Sequence, residues 1–510
     1  MRGIATVGGW TLISRVLGFV RDMLIAFLAG AGPVTDAFFI ALKVPNLFRR
    51  LFGEGAFNAA FVPEFSGVLA TEGRPAARQF AQETIAVLSF WLLLLTLLGE
   101  AFMPAIMRLI APGFADEPGK LELTIVLARI MFPYVILICL TALLSGVLNG
   151  LDRFAAAAAA PVVFNTVSIA CMLLLTPLLP TVGHALAWGV TASGILQLAL
   201  LVWAVGRAGM PMRVPRPRMT PRMRALLRRM GPGLLGAGVT QLNLTVDIFI
   251  QSWLPPSSAS VLYYADRVMQ LPLGVIGTAV GTALLPLLSR QARTGEDAAA
   301  RVTVSRAIEI TMAVTIPAAL ALGVVGQPIM AVLFGRGAFD AQAALLSSQS
   351  LAAFAVGLPA FVLLKVLVPA FFAHGDTSTP VRVGLVAIGL NLGLNVAFMV
   401  PLQHMGPALA TSLSAVFNAV VLGVLLSRQG RLSFDAQLRR RVPRMGLAAL
   451  AMAGALVWAE RPLFAFAGGG VGRFLALGVL VGGGLVVYGA VAQLVGAVDG
   501  RGLVRLVRRR

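Results

Sequence analysis

Charge is scarce in this chain. Of its 510 residues only 12% are Asp, Glu, Lys or Arg, half the ~25% usual in a soluble domain. With 58% hydrophobic residues and a mean hydropathy of +0.88, this excludes an ordinary soluble fold and indicates a polytopic membrane protein. Histidine is nearly absent: His184, His374 and His404 all fall near the ends of apolar runs, without metal-ligand spacing. Two cysteines, Cys139 and Cys171, lie inside apolar runs and read as small buried hydrophobes. No GxxxxGK[ST] loop and no carboxylate cluster for divalent-metal diphosphate chemistry occurs. The expectation is therefore a transporter rather than an enzyme, with no metal and no cofactor. A secretory signal is not recognisable either, so the first apolar stretch is expected to persist as a span.

What is present is arginine. The formal net charge is +20, and Lys43, Lys120 and Lys365 are the only lysines. In a soluble protein such a balance would suggest nucleic acid; here membrane topology accounts for it, and no nucleic-acid partner is expected. Spans of about 20 apolar residues can be drawn at 8–30, 35–65, 82–106, 122–148, 156–179, 183–206, 232–254, 258–288, 305–327, 345–372, 382–402, 406–427, 444–460 and 473–496. Pro45 and Pro272 give the long second and eighth spans a place to bend. Alternate connections of this fourteen-span plan hold 28 Lys and Arg on one side and 5 on the other. By the positive-inside rule both termini are then cytoplasmic.

The basic, proline-rich stretch RAGMPMRVPRPRMTPRMRALLRRM (207–230) divides six spans from eight. Weak repeats cross it. Asp22 pairs with Asp247, Pro45 with Pro272, Pro63 with Pro286, Pro133 with Pro359 and Asp152 with Asp376, at offsets of 223–227. Five matches at nearly one offset suggest two parallel six-span lobes, 1–206 and 232–428. They are joined by a linker at 207–231 and followed by two further spans and a basic tail at 429–510. Transporters built from repeats place substrate near the midplane between them.

Several charges fall inside the spans. In TLISRVLGFVRDMLIAFLAG (11–30), Thr11, Ser14, Arg15, Gly18, Arg21 and Asp22 share an arc of about 120° at ~100° per residue. An arginine at a helix centre costs roughly 2.5–3.5 kcal/mol on insertion scales, so this stripe should meet water or protein. Snorkelling toward headgroups is the alternative. The second span carries Asp36, Lys43 and Arg50 at intervals of seven, with Arg49 and Glu54 beside them; an internal ion-pair ladder is the alternative there. The eighth carries Asp266 and Arg267 behind Tyr263 and Tyr264, which read as interfacial anchors. Against Arg15, Arg21, Lys43, Arg49, Arg50, Arg129, Arg267 and Lys365 stand fewer deep acids: Asp22, Asp36, Glu54, Glu64, Asp247 and Asp266. Guanidinium matches phosphate bidentately and stays charged. The arginines are expected to face a wet cavity between the lobes and hold a large anionic, diphosphate-bearing headgroup.

Energy should come from the membrane potential, worth ~2.3 kcal/mol per charge per 100 mV, or from a Na+ or H+ gradient. Asp247 in the seventh span and Asp376 in HGDTSTP are the coupling-ion candidates. A helix contact and a turn cap are their respective alternatives.

SRVLGFVRD, TDAFFIALKVPNLFRRLFGEGAFNAAFVP, APGF at 111–114, YYADRVMQLP and GTALLPLLS resemble the MurJ (MviN-type) lipid II flippases of the MOP exporter superfamily. The match runs to about the twelfth span. This resemblance implies a fourteen-helix inner-membrane protein that moves undecaprenyl-diphosphate-linked disaccharide-pentapeptide outward for peptidoglycan synthesis by alternating access. The last two helices would form a groove for the lipid tail. It also implies diphosphate binding by Arg15, Arg21, Arg49 and Arg267, with Asp36 positioning Arg15 and Arg21 or gating, and Ser14, Ser260 and Asp266 nearby. Lys43, Arg50 and Glu54 are secondary candidates. Gln270 departs from a DR-x-x-E pattern, which puts an ion-paired gate there in doubt. Sodium coupling through a seventh-helix Asp matches Asp247. Another lipid-linked oligosaccharide, such as an O-antigen unit, is the alternative cargo. A scaffold recruiting cell-wall enzymes through the basic segments is the alternative class, and cell-wall synthesis proteins are candidate partners in either case.

Overall fold

The computed structural model describes residues 2–50, 56–433 and 435–497, and within these not the side chains of 2–5, 56, 58–59, 231–245 and 275–283. Among the described residues every regular element is a helix. Two compact units divide the chain, Met1–Ser260 and Val261–Arg510. The first contains α1 (Arg2–Ala29), α2 (Pro33–Phe48), α3 (Ala56–Ile110), α4 (Lys120–Met131), α5 (Tyr134–Gly150), α6 (Phe154–Leu175), α7 (Val182–Arg207) and α8 (Pro221–Ser252). Next in the chain is α9 (Ser258–Arg293), whose first residues close the first unit. The second unit continues with α10 (Asp297–Val324), α11 (Gly326–Leu333), α12 (Ala341–Ala373), α13 (Ser378–Phe398), α14 (Gly406–Arg428), α15 (Ala436–Phe466) and α16 (Val471–Leu494).

Ten helices among the described residues are long and apolar enough to cross a membrane. The first, second, seventh and eighth expected spans fall outside that set. They are the helices carrying Arg15, Arg21 and Asp22, then Asp36 and Lys43, then Asp247, then Asp266 and Arg267. In the second expected span α2 ends at Phe48, after Pro45, and gives way to a π turn at Arg49 and Arg50; helix is described again from Ala56. From there α3 runs on through the third expected span, interrupted at Gly73, whose φ of 80° lies in the left-handed region. The fourth expected span parts at Phe132–Pro133 into α4 and α5. Half of the expected linker is helix: Thr220 caps α8 by accepting from the Met223 amide at 3.3 Å, and Pro221 fills the first turn.

Lipid gives packed helices no hydrophobic drive, so small residues and interhelical hydrogen bonds must join them. In the first unit Gln197 Nε2 of α7 donates to the Ala160 carbonyl of α6 at 2.8 Å, and Ser168 meets Ser193 at 3.0 Å. Phe57, Phe61, Phe65 and Phe80 stack along α3 with centroids 5.3–5.7 Å apart, in a core completed by α5 and α7. In the second unit Ser412 of α14 donates to the Ala353 carbonyl of α12 at 2.7 Å. The two last helices attach through α10: Tyr488 Oη of α16 donates to the Ala313 carbonyl at 2.7 Å, and Glu309 accepts from Arg306 and from Arg441 of α15. Asp435, which caps α15 by accepting from the Leu438 amide at 2.8 Å, accepts from Arg306 as well.

Candidate functional site

Asp36 occupies the first turn of α2 and is 1% exposed. Its Oδ1 accepts from the Ser260 amide at 2.8 Å and the Ser260 hydroxyl at 2.7 Å. Its Oδ2 accepts from the Ser257 amide at 2.8 Å and from Lys120 Nζ at 3.2 Å. The carboxylate thus seats on the N-terminus of α9, where free amides and the helix dipole favour an anion. Ser257 holds φ at 73° to present its amide. Lys120 is equally buried; it bonds Glu117 at 2.7 Å and lies 4.2 Å from the centre of the Phe114 ring. Lys120, one of the three lysines, lies between the expected third and fourth spans and is a buried partner of Asp36. Asp36 and Ser260 are brought together as the expected site requires. The carboxylate bonds Lys120 and the start of α9, not Arg15 or Arg21.

The APGF segment gains a role as well. Gly113 donates its amide to Ser252 Oγ at 3.2 Å, and a Cβ there would stand 2.3 Å from the Ser252 carbonyl oxygen. Only glycine lets this turn approach the end of α8 so closely. On α8, Gln251 accepts from Lys43 at 2.7 Å.

On α1, the expected stripe divides in two. Ser14 and Gly18 rest against α6, where Asn165 Nδ2 donates to the Ser14 carbonyl at 3.0 Å and to its hydroxyl at 3.3 Å. Asp22 is buried and receives Arg21 at 2.8 Å, while the Arg21 guanidinium lies 5.5 Å from the Phe164 ring centre. Arg15 is exposed, as are Leu12, Ile13 and Val16. At the end of α2, Arg49 donates to Asn46 at 3.1 Å and Arg50 is exposed, so the residues spaced by seven do not share one environment. Glu54 lies outside the described residues. Glu64, read from the sequence as a deep acid, pairs instead with Arg229 of the basic stretch, and Glu72 pairs with Arg222. That hydrogen bond to Glu72 raises the Arg222 pKa further.

In the second unit, Arg267 lies over the Tyr263 ring at 4.9 Å and donates to its hydroxyl at 2.8 and 3.1 Å. Tyr264 is not an interfacial anchor: it is fully buried between Phe334 and Phe339, with both centroids at 5.1 Å. Gln270 donates to Asp266 one turn away, so the residue departing from the expected pattern has an intrahelical partner. Asp376 accepts from the Thr379 amide at 3.0 Å and from Ser378 at 3.2 Å, capping α13. These bonds hold its carboxyl below the usual range. Asp247 is partly buried on α8, with one carboxylate oxygen enclosed.

Sequence reading missed Lys120, Asn165, Gln251 and Ser257. None carries a local signal, because each matters through a partner on a distant element.

A family profile described as Lipid II flippase MurJ matches residues 25–480. A Rhizobium tropici protein named probable lipid II flippase MurJ is 42% identical, over 99% of this chain and 95% of its own. The Burkholderia cenocepacia protein named lipid II flippase MurJ is 33% identical, over 90% and 89% respectively. Among solved structures, one of lipid II flippase MurJ in an inward closed conformation superposes with a TM-score of 0.79 at 24% identity, covering 96% of this chain and 98% of its own. An inward-facing multidrug resistance MATE family transporter of the MOP superfamily superposes at 0.67 with 15% identity, over 82% and 94%. These last two likenesses bear on the fold alone.

Proposed function

This chain belongs to the MurJ lipid II flippase family, and from that premise we propose how its charged residues serve transport. It is a multi-pass inner-membrane protein that flips lipid II, a transporter and not an enzyme. The observation carrying this is the family match over nearly the whole chain. In our reading Arg15, Arg21 and Arg49 of the first unit and Arg267 of the second bind the diphosphate during the cycle. Ser14 and Asp266 set the helix surfaces around them, and Lys43 and Arg50 add positive charge. Arg15 and Arg50 are exposed, so neither guanidinium is enclosed by the packing of its own unit, and each keeps its fork for phosphate oxygens. Arg21, Arg49 and Arg267 are each aimed by a neighbour on their own helix: Asp22, Asn46 and Tyr263. Asp36 and Ser260 have a different task, fixing the start of α9 against α2 and α4.

The excess of arginine in one set of connections supports cytoplasmic termini. Transport is driven by the membrane potential or an ion gradient, with Asp247 the acid of choice for a coupling ion. Cell-wall synthesis proteins are partners at the basic cytoplasmic segments.

The test is a flippase-depleted strain in which outer-leaflet lipid II is assayed. The wild-type chain restores exposure and growth, whereas Arg15→Ala, Arg21→Ala, Arg49→Ala and Arg267→Ala each abolish both at unchanged protein level. Losing one preorganised guanidinium donor to a bound diphosphate costs about 10²-fold or more. Growth with all four replaced overturns the site assignment and leaves the family membership intact.

A further inference from the structure

A cavity of about 560 Å³ opens in the first unit where the start of α1, the α5–α6 junction and the end of α7 meet. Its lining includes Thr6, Asp152, Arg153, Phe154, Trp203 and Arg207. We propose that this cavity binds the phosphate-bearing headgroup of an anionic phospholipid of the cytoplasmic leaflet, as a site separate from the transport arginines.

Three features carry this. First, two exposed arginines from different elements, Arg153 just before α6 and Arg207 at the end of α7, converge on one volume, and guanidinium is the side chain suited to phosphate at such a place. Arg207 is held over the Trp203 ring, 5.2 Å from its centre, which fixes its direction toward the cavity rim. Second, Phe154, Ala155 and Ala156 line the cavity with the first turn of α6, and no side chain caps that turn. Its amides add donors to those of the arginines. Asp152, in the left-handed region at φ 58°, is the one acid in the lining; two guanidinium groups outweigh it. Third, the rim continues into membrane-facing surface. Trp203 is 58% exposed and Val202 49% exposed, and tryptophan at the end of a spanning helix marks the boundary where headgroups lie. A soluble phosphate compound would not need that apolar approach, whereas a lipid's glycerol and upper chains would cover it. Basic pockets between helices on the cytoplasmic side take anionic headgroups in just this way. Because Thr6 of α1 belongs to the lining, the bound lipid would tie the helix bearing Arg15 and Arg21 to α5, α6 and α7.

The assignment to the cytoplasmic leaflet rests on the orientation proposed above. The following test reads the cavity in either orientation, since nanodiscs expose both faces. Purified full-length protein is reconstituted in discs of phosphatidylglycerol and phosphatidylcholine and extracted in detergent, and the retained lipids are measured by mass spectrometry. The wild type retains phosphatidylglycerol selectively. The double variant Arg153→Gln/Arg207→Gln loses about fivefold in selectivity per arginine removed, while Arg216→Gln/Arg218→Gln, with the same loss of charge on the exposed linker, keeps it. Ala155→Phe, which places a ring in the cavity lining and leaves both arginines, also loses selectivity, and it decides the matter should the arginine variant fold poorly. Equal retention by the two arginine pairs overturns the proposal. So does saturable binding of inorganic phosphate in phosphatidylcholine-only discs that the double variant abolishes, since the ligand would then be a soluble phosphate. Displacement of phosphatidylglycerol by stoichiometric undecaprenyl diphosphate would make the cavity a cargo site and overturn it too.

Discussion

Asp36 and Arg15 sit on consecutive helices of the same unit, and the protein handles their charges in opposite ways. Around Asp36 four donors, Lys120 Nζ, two amides and a hydroxyl, occupy both carboxylate oxygens with 1% exposure. Arg15 instead stands exposed on α1, on a helix anchored one residue earlier by Asn165 at Ser14. A charge taken out of water must have its hydrogen-bonding capacity filled or it costs several kcal/mol. Asp36 is therefore committed to holding three elements together. Among the described residues of its unit, Arg15 has no such commitment. Two charged residues, equally conspicuous in an apolar sequence, thus divide into one spent as a staple and one left exposed.

Replacing members of the staple should expose its internal asymmetry, with the largest effect on stability of any change considered below. Asp36→Ala leaves Lys120 buried with Glu117 as its remaining acid and strips the α9 start of its anion; breaking a buried pair from one side costs about 3–5 kcal/mol. Lys120→Met removes the cation but leaves Asp36 with three donors at a helix N-terminus, so it should cost about half as much. Thermal unfolding of the detergent-purified variants measures this. An equal or inverted order would show that the ion pair, and not the seat on α9, holds Asp36.

Gly113 offers a second, smaller perturbation of the same region without touching a charge. Its added Cβ would lie 2.3 Å from the Ser252 carbonyl oxygen and 2.9 Å from Trp253 Cα. These are backbone atoms that cannot swing away, so Gly113→Ala should destabilise by about 1–3 kcal/mol, as overpacking does. Gly67 on α3 has open space where its Cβ would go, so Gly67→Ala is the control and should be neutral or slightly stabilising. Were both substitutions silent in thermal unfolding, the close approach of the APGF turn to α8 would have no energetic weight.

Much of this architecture was legible because bilayers impose a simple code. The ten strongly apolar helices coincide with ten of the expected spans, since length and hydropathy alone decide them. The other four expected spans carry the charges, and there sequence reading was weakest. Nothing local to TDAFFIALKVPNLFRR announces that Asp36 faces the start of α9 while Arg50 is exposed, because a partner 224 residues away decides the environment. Tyr264 misled for a similar reason: a tyrosine near a span end suggests an interface, yet Phe334 and Phe339 enclose it. Glu64 has a partner that its own span does not announce, since Arg229 reaches it from α8. Helix existence is a local property; the pairing of charges is not.

Asp376 marks the lower end of the scale. It was a coupling-ion candidate; it accepts from Thr379 and Ser378 at the start of α13 and is partly exposed. Those hydrogen bonds lower its pKa, so its stabilising effect is present above the unfolded carboxyl value of about 3.9 and fades as pH falls through the lower folded one. Across neutral pH it contributes a constant charge and a cap. Asparagine caps a helix about as well as aspartate, so Asp376→Asn should leave thermal stability and gradient-dependent flipping unchanged, whereas Asp376→Ala should lower stability slightly through the lost cap. Flipping assayed in vesicles with and without an imposed sodium or proton gradient separates the two roles. If Asp376→Asn abolished the gradient's effect, the carboxylate would be carrying an ion. Unchanged transport would leave Asp247, with one enclosed oxygen on α8, as the other candidate to test in the same assay.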